Sequence, residues 1–180
     1  MENIFFENTK EIKKSKQELE KKLNVKIEIV GKKVSFEGDS VDEYEALTVL
    51  DAIKFGFPQG TALLLKNSEI IFKKISIRDY TRRKNLKDVK ARVIGTMGTT
   101  KRTIEAISGC VLIIHNNEVG IIGHADDVEE ATTALTNLIR GAKQANVYKF
   151  LEHLNRAQNE EGLGLKEKRS EKTSTKYRLR

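Results

Sequence analysis

Shifted by 85 residues, this chain falls into register with itself. Val34 and Phe36 meet Val119 and Ile121, Gly38 meets Gly123, and Glu45-Ala46 meet Glu130-Ala131. Further along, Leu50 meets Leu135, Ile53 meets Leu138 and Gly56 meets Gly141. The matches combine alternating apolar positions, turn glycines and one face of a helix, so a folding unit recurs rather than a composition. A period this long excludes a solenoid of short stacked repeats and leaves two copies of one small domain within 180 residues.

Each copy can be read locally. In the first, Asn8 to Asn24 has helical spacing, with Ile12, Leu19 and Leu23 as its apolar stripe. Val25, Ile27 and Ile29 alternate as a strand, as do Val34 and Phe36, about a Gly31-Lys32 turn. Ser40 opens a helix, with Glu43 completing a capping box, that runs to Phe55 and stops at Gly56 ahead of Pro58. Ile4 to Phe6 leaves room for a short first strand. The second copy opens with an alternating strand over Ile70 to Ile77 and a helix over Arg83 to Ile94. After a glycine turn, Ile104 and Ile107 mark the buried edge of a helix ending at Gly109. Val111 to Ile114 and Val119 to Ile122 are strands about Asn116-Asn117. Asp126 caps a last helix with Val128, Ala131, Leu135, Leu138 and Ile139 on one face.

The glycine turn lies within Arg92-Val93-Ile94-Gly95-Thr96-Met97-Gly98-Thr99-Thr100-Lys101-Arg102. Two glycines three apart let the backbone turn sharply between two helices with no Cβ to hold a partner away. A phosphodiester backbone can lie against such a turn and meet amide N–H groups and a helix N-terminus. That is how a KH domain holds single-stranded RNA, and two strands after the second helix indicate the type I arrangement. The expected fold is therefore α+β: two tandem type I KH-like units (β-α-α-β-β-α), the first degenerate, with a C-terminal helical extension. The expected boundaries are a degenerate unit at 1–60, a linker at 61–69, a KH domain at 70–145, a helix at 146–161 and a basic disordered tail at 162–180. In the first unit the register sets Lys10 and Lys13 where Gly95 and Gly98 stand. Their side chains block close backbone approach and favour an unbroken helix, so the first unit loses the clamp.

Charge agrees. The net charge is +7, and residues 81–102 alone carry eight Lys/Arg against one Asp/Glu. Residues 1–60 balance at −2, while 163–180 add +5. A basic run is often only a solvated face, but this one coincides with the loop built to approach a phosphate, which favours a polyanion partner. Cys110 is the only cysteine, so no disulfide forms within the chain. The N-terminus lacks a basic leader and a long apolar stretch, and no apolar run reaches bilayer length, so a cytoplasmic protein with no membrane contact is expected.

The site residues follow from the turn. Gly95 and Gly98 let RNA phosphates pass, Thr96 and Met97 form the tip, and Thr99, Thr100, Lys101 and Arg102 bring amides, hydroxyls and cations to phosphate. Arg92 flanks the clamp from the other side. Ile94, Ile104 and Ile113 are candidates for an apolar base groove, whereas Ile107 and Val111 read as core. Arg82, Arg83 and Lys84 either extend the phosphate track or form a solvated helix start. His115, His124 and His153 lack ligand spacing, so neither a metal nor another cofactor is expected. Asp126-Asp127 and Glu129-Glu130 read as capping and a solvated face rather than paired catalytic carboxylates. Val147, Phe150, Leu151 and Leu154 follow amphipathic helical spacing, expected as a brace across the two units.

Taken together, the tandem resembles the archaeal KH-domain proteins related to the eukaryotic "partner of NOB" small-subunit assembly factor. The resemblance is carried by Arg92 to Glu105, by Gly120-Ile121-Ile122-Gly123 and by Val147-Tyr148-Lys149-Phe150-Leu151-Glu152. It implies a non-catalytic role in maturing the small ribosomal subunit, near the 3′ end of its rRNA. It also implies contact with the endonuclease that trims that end and with a translation initiation factor subunit. Archaeal relatives usually keep the glycine turn in the first unit as well, and this chain departs from them there.

Three other readings compete. An adaptor of another RNA pathway, such as an exosome cap-like protein, would call for a further barrel-type domain that the sequence does not show. A phosphate-handling enzyme would need four residues between its glycines before Lys-Ser/Thr, whereas this chain has Gly-x-x-Gly-x-x-Lys. A protein-interaction scaffold draws on the degenerate first unit and is compatible with RNA binding by the second.

Overall fold

The computed structural model of the chain describes residues 2–7 and 9–165, the side chains of residue 11 and of residues 157–165 excepted. The chain divides into two compact units between Ile70 and Ile71. The first contains β1 (Glu2–Phe5), α1 (Lys10–Leu23), β2 (Lys26–Val30), β3 (Lys33–Glu37) and α2 (Ser40–Phe55), closed by a short α3 (Gln59–Ala62) and a 3-10 turn at Leu63–Lys66. Its sheet has the order β1-β3-β2 and is antiparallel throughout. Val34 faces Ile4 and Ile29 across it, and Phe36 faces Glu2 and Ile27. Period-two alternation then sends Ile4, Ile27, Val34 and Phe36 into a core completed by Ile12, Leu19 and Leu23 of α1 and Ala46, Val49 and Leu50 of α2.

The second unit runs β4 (Ile70–Ser76), α4 (Ile77–Tyr80), α5 (Leu86–Ile94), a 3-10 turn at Thr96–Gly98, α6 (Thr99–Ser108), β5 (Val111–His115), β6 (Glu118–His124) and α7 (Ala125–Arg140), then α8 (Gln144–Leu165). Its sheet has the corresponding order, β4-β6-β5. The first unit reaches that strand order with one continuous helix, α1, where the second has the pair α5 and α6. In the 85-residue register α1 covers the positions of the turn and of α6, while those of α5 are taken by β1 and the residues after it, so Lys10 and Lys13 lie in the first turn of a helix where the second unit has its glycines.

The 85-residue register extends to contacts that the sequence reading did not use. A Cβ on Gly38 would lie 2.8 Å from Val25 Cγ1, and one on Gly123 would lie 2.6 Å from Cys110 Sγ, its counterpart. Glu20 Oε1 accepts from Ile27 N at 2.8 Å, and Glu105 Oε1 accepts from Leu112 N at 2.8 Å. Each carboxylate also pairs with a lysine one turn earlier, Lys16 at 3.7 Å and Lys101 at 3.1 Å.

Several local expectations are corrected. Asp39, not Ser40, occupies the cap of α2, so Glu43 lies one position too far in for a capping box and its carboxylate accepts instead from Gly38 N. His124 caps α7 because β6 runs straight into the helix; Asp126 lies in the first turn, where it still opposes the helix dipole. α5 starts at Leu86 rather than Arg83, since Asn85 Oδ1 accepts from Lys87 N at 3.1 Å and fixes the start there. Residues 61–69, expected as a linker, include the end of α3 and the 3-10 turn, with Thr61, Ala62 and Leu65 buried in the first unit. The C-terminal helix begins at Gln144 and includes 162–165, residues expected in the tail. Its Val147 and Leu151 are buried in the core of the second unit, which α8 braces against α6 and α7. The expected disordered tail beyond 165 lies outside the described residues. No helix among the described residues is long and apolar enough to cross a membrane.

Candidate nucleic-acid interface

The turn between α5 and α6 is held by its own backbone. Gly95 N donates to Ala91 O at 2.8 Å and Gly98 N donates to Gly95 O at 3.1 Å. The two glycines serve different ends. Gly95 has φ 76° and ψ 170°, a region open essentially to glycine alone. A Cβ there would lie 2.2 Å from Thr100 Oγ1 and 2.6 Å from Thr100 N, so Gly95 is where the turn packs on the start of α6. Gly98 is left-handed (φ 77°, ψ 14°), yet a Cβ there meets nothing nearer than Arg102 Nε at 3.8 Å and Nη2 at 3.9 Å. The space in front of Gly98 is open and bordered by the exposed Arg102 guanidinium.

The expected site residues divide accordingly. Thr96, Met97, Thr99 and Arg102 are exposed, and Met97 stands at the tip with 86% of its surface free and a left-handed φ of 52°. Thr99 Oγ1 donates to Thr96 O at 2.9 Å, leaving the hydroxyl oxygen as an acceptor. The N-cap of α6 is Gly98, which has no side chain to cap the helix. Lys101 is half-buried and paired with Glu105.

Four expectations are corrected here. Thr100 is 1% exposed, and its hydroxyl accepts from Gln144 Nε2 at 2.8 Å, so it supports Gly95 from beneath rather than facing phosphate. Ile104 is fully buried in the core. Ile113 pairs with Gly120 on the sheet face opposite Leu112, Val119 and Ile121, so alternation points it away from the helices that would line a base groove. Arg92 Nη2 donates to the carbonyls of Gly141 (3.0 Å) and Ala142, closing the C-terminus of α7. Ile94 remains half-buried beside the turn. Ile107 packs at the edge of the core, while half-buried Val111 shares the face of Ile113.

Sequence reasoning missed Gln144 and Glu105. Glu105 had a signal in the repeated Lys-x-x-x-Glu spacing at 16/20 and 101/105. Gln144 had none, because only the fold brings it to Thr100.

Strand order, paired helices and the turn define a tandem KH protein with a type I domain in its second half. Residues 71–156 match the family profile of the second KH domain of PNO1, described as a eukaryotic type KH-domain (KH-domain type I). A KH domain-containing protein of Methanocaldococcus jannaschii is 36% identical over 144 residues, covering 76% of this chain and 63% of the relative, so the chain spans about three-fifths of that relative's length. The crystal structure of Dim2p from Pyrococcus horikoshii superimposes with a TM-score of 0.76 at 28% identity, covering 84% of this chain and 98% of that one. The a/eIF2alpha-aDim2p-rRNA complex from the same organism also matches, with a TM-score of 0.76 and 28% identity over 87% of this chain and 94% of that chain. Residues 71–156 are thus a KH domain of the PNO1 type, and the chain over most of its length is similar to archaeal KH-domain proteins.

Proposed function

We propose that the second unit binds single-stranded RNA across the Gly95–Gly98 turn, and that the protein acts by binding, without catalysis, in small-ribosomal-subunit assembly near the 3′ end of the rRNA. The observation that carries this reading is the open face of Gly98, bordered by the Arg102 guanidinium and by the uncapped start of α6. A phosphate there receives a helix N-terminus and a cation together. The related Dim2p crystallised with rRNA supports RNA as the ligand class. The same complex includes a/eIF2alpha, which supports a translation initiation factor subunit as a partner. Contact with the endonuclease that trims the rRNA rests on the family resemblance alone.

The test compares a short single-stranded RNA matching the 3′ end of the small-subunit rRNA with a scrambled RNA across a salt series. A preference that persists at high salt is expected; equal binding that collapses with salt would leave only a basic surface. Gly98→Asp sets a carboxylate beside Arg102 where phosphate would lie, and should weaken binding roughly tenfold or more, the equivalent of one charge-assisted contact. Undiminished affinity in a folded Gly98→Asp protein refutes the clamp.

A second reading draws on α1. It begins at the position of the first turn glycine and takes in both, so the first unit offers RNA no glycine turn, which favours protein contact as its role.

A further inference from the structure

Besides the turn, the second unit carries a concentration of positive charge that its own side chains leave unmatched. Asp79, Tyr80, Thr81, Arg82, Arg83 and Arg140 line a hollow of about 460 Å³ between the loop before α5 and the C-terminal end of α7. Arg82, Arg83 and Arg140 are exposed, and among the described residues none of their guanidinium groups has an ion pair, Asp79 included. Arg140 lies over the Tyr80 ring, 5.6 Å from its centroid, which orients the guanidinium and leaves its N–H edge free. Thr81 Oγ1 accepts from Arg83 N at 3.2 Å and fixes the bend of the loop.

The hollow is linked to the glycine turn. Arg83 Nη2 and Arg92 Nη1 lie 3.9 and 4.0 Å from the same point, the place a Cβ would take on Gly141. Arg92 is three residues before Gly95, and its charge is spent on two carbonyls of the α7 terminus. Arg82 and Arg83 have no such outlet, Arg140 has only the Tyr80 ring, and with Asp79 in the same lining three cations face one carboxylate, an excess of positive charge that a further anion would relieve.

We propose that this hollow is a second phosphate-binding site, taking phosphodiester groups of the same RNA strand where it continues beyond the nucleotides held at the glycine turn. The proposal rests on the reading of the turn as an RNA clamp. A KH turn holds about four nucleotides, so a tetranucleotide fills the clamp alone, whereas a longer strand reaches the arginines. The ligand chemistry is the phosphate ester, bound as point charges and bidentate edges rather than by base.

The experiment measures affinities of a tetranucleotide and a dodecanucleotide, each across a salt series, for the wild-type chain and for the combined variant Arg82→Gln, Arg83→Gln, Arg140→Gln. These side chains are exposed, and circular dichroism checks the fold. The variant is expected to bind the tetranucleotide within about twofold of wild type and the dodecanucleotide about tenfold more weakly, with a salt slope shallower by about 1.4, the value for two phosphates on a single strand. An unchanged dodecanucleotide affinity and slope overturns the site. An equal loss on both lengths also overturns it, since the arginines would then act only as a general field. Inorganic phosphate, added at constant ionic strength, should compete for the hollow and narrow the difference between the two RNA lengths; saturable phosphate binding to a chain that shows no such length difference would overturn the RNA assignment and leave the hollow to a free anion. Gly98→Asp separates the two readings: if it leaves RNA binding intact the clamp fails, while the arginine variant still reports on the hollow by its effect on the longer strand.

Discussion

Replacing Gly95 by alanine should unfold the second unit far more readily than the same change at Gly98, although both glycines have positive φ. At Gly98 the methyl enters open space, its nearest neighbours being the flexible end of Arg102 at 3.8 and 3.9 Å, so the cost is that of a left-handed alanine, about 1–2 kcal/mol. At Gly95 a backbone region reserved for glycine costs about 1–3 kcal/mol, and the methyl would also lie 2.6 Å from Thr100 N and 2.2 Å from its hydroxyl. Thr100 cannot retreat, because it is buried and tied to Gln144. Overpacking of this kind adds about 1–3 kcal/mol, so Gly95→Ala should cost roughly twice what Gly98→Ala does, or more. Thermal or urea unfolding followed by circular dichroism measures the difference. Adding Thr100→Ala to Gly95→Ala should recover only part of the loss, since the contact with the backbone nitrogen stays. Equal midpoints for the two single alanine variants would refute the division of labour between the glycines.

Two further outcomes follow from the same geometry. Arg92→Met removes donors from the Gly141 and Ala142 carbonyls and should lower stability by about 1–3 kcal/mol, while Arg102→Gln should leave the unfolding midpoint in place and weaken RNA binding; reversed effects on melting and affinity would exchange their roles. Burial pushes the Cys110 thiol up from 9.0 to about 12, so in the folded protein it should resist a thiol reagent at pH 8 that labels it on unfolding. The raised value means the folded state holds the proton more tightly; this contribution to stability is complete below about pH 9 and is lost as pH rises toward 12.

The architecture was legible because it is written twice. Alternation at Val34/Phe36 and Val119/Ile121 and the turn glycines fix strand and helix order without any long-range information. Helix starts were less legible: at Ser40 and Asp126 a local pattern suggested a cap, but the chain enters each helix one residue or more earlier, leaving those side chains inside the first turn. At the turn, spacing located the glycines and the cations but could not separate their duties. Thr100 reads as a phosphate-facing hydroxyl until Gln144 at the start of α8 meets it, Ile104 sits on the buried edge of its helix whether that edge faces a groove or the core, and Ile113 differs from Ile114 only by the phase of a strand. Arg92 looked like a ligand cation because its partners are carbonyls 49 and 50 residues away, which no charge count records.

The carboxylates of Glu20 and Glu105 bear on a hazard of tandem duplication. β2 and β5 are outer strands of their sheets, and two near-identical borders in one polypeptide invite strand exchange between copies or between molecules. In each unit a glutamate from the preceding helix occupies an outward N–H of that strand, at Ile27 and at Leu112. An incoming strand would have to displace a charged acceptor, held in place by its own lysine, before it could form its first rung. The duplicated latch thus raises the cost of a new rung at β2 and at β5 alike, each unit guarding that border with a residue of its own.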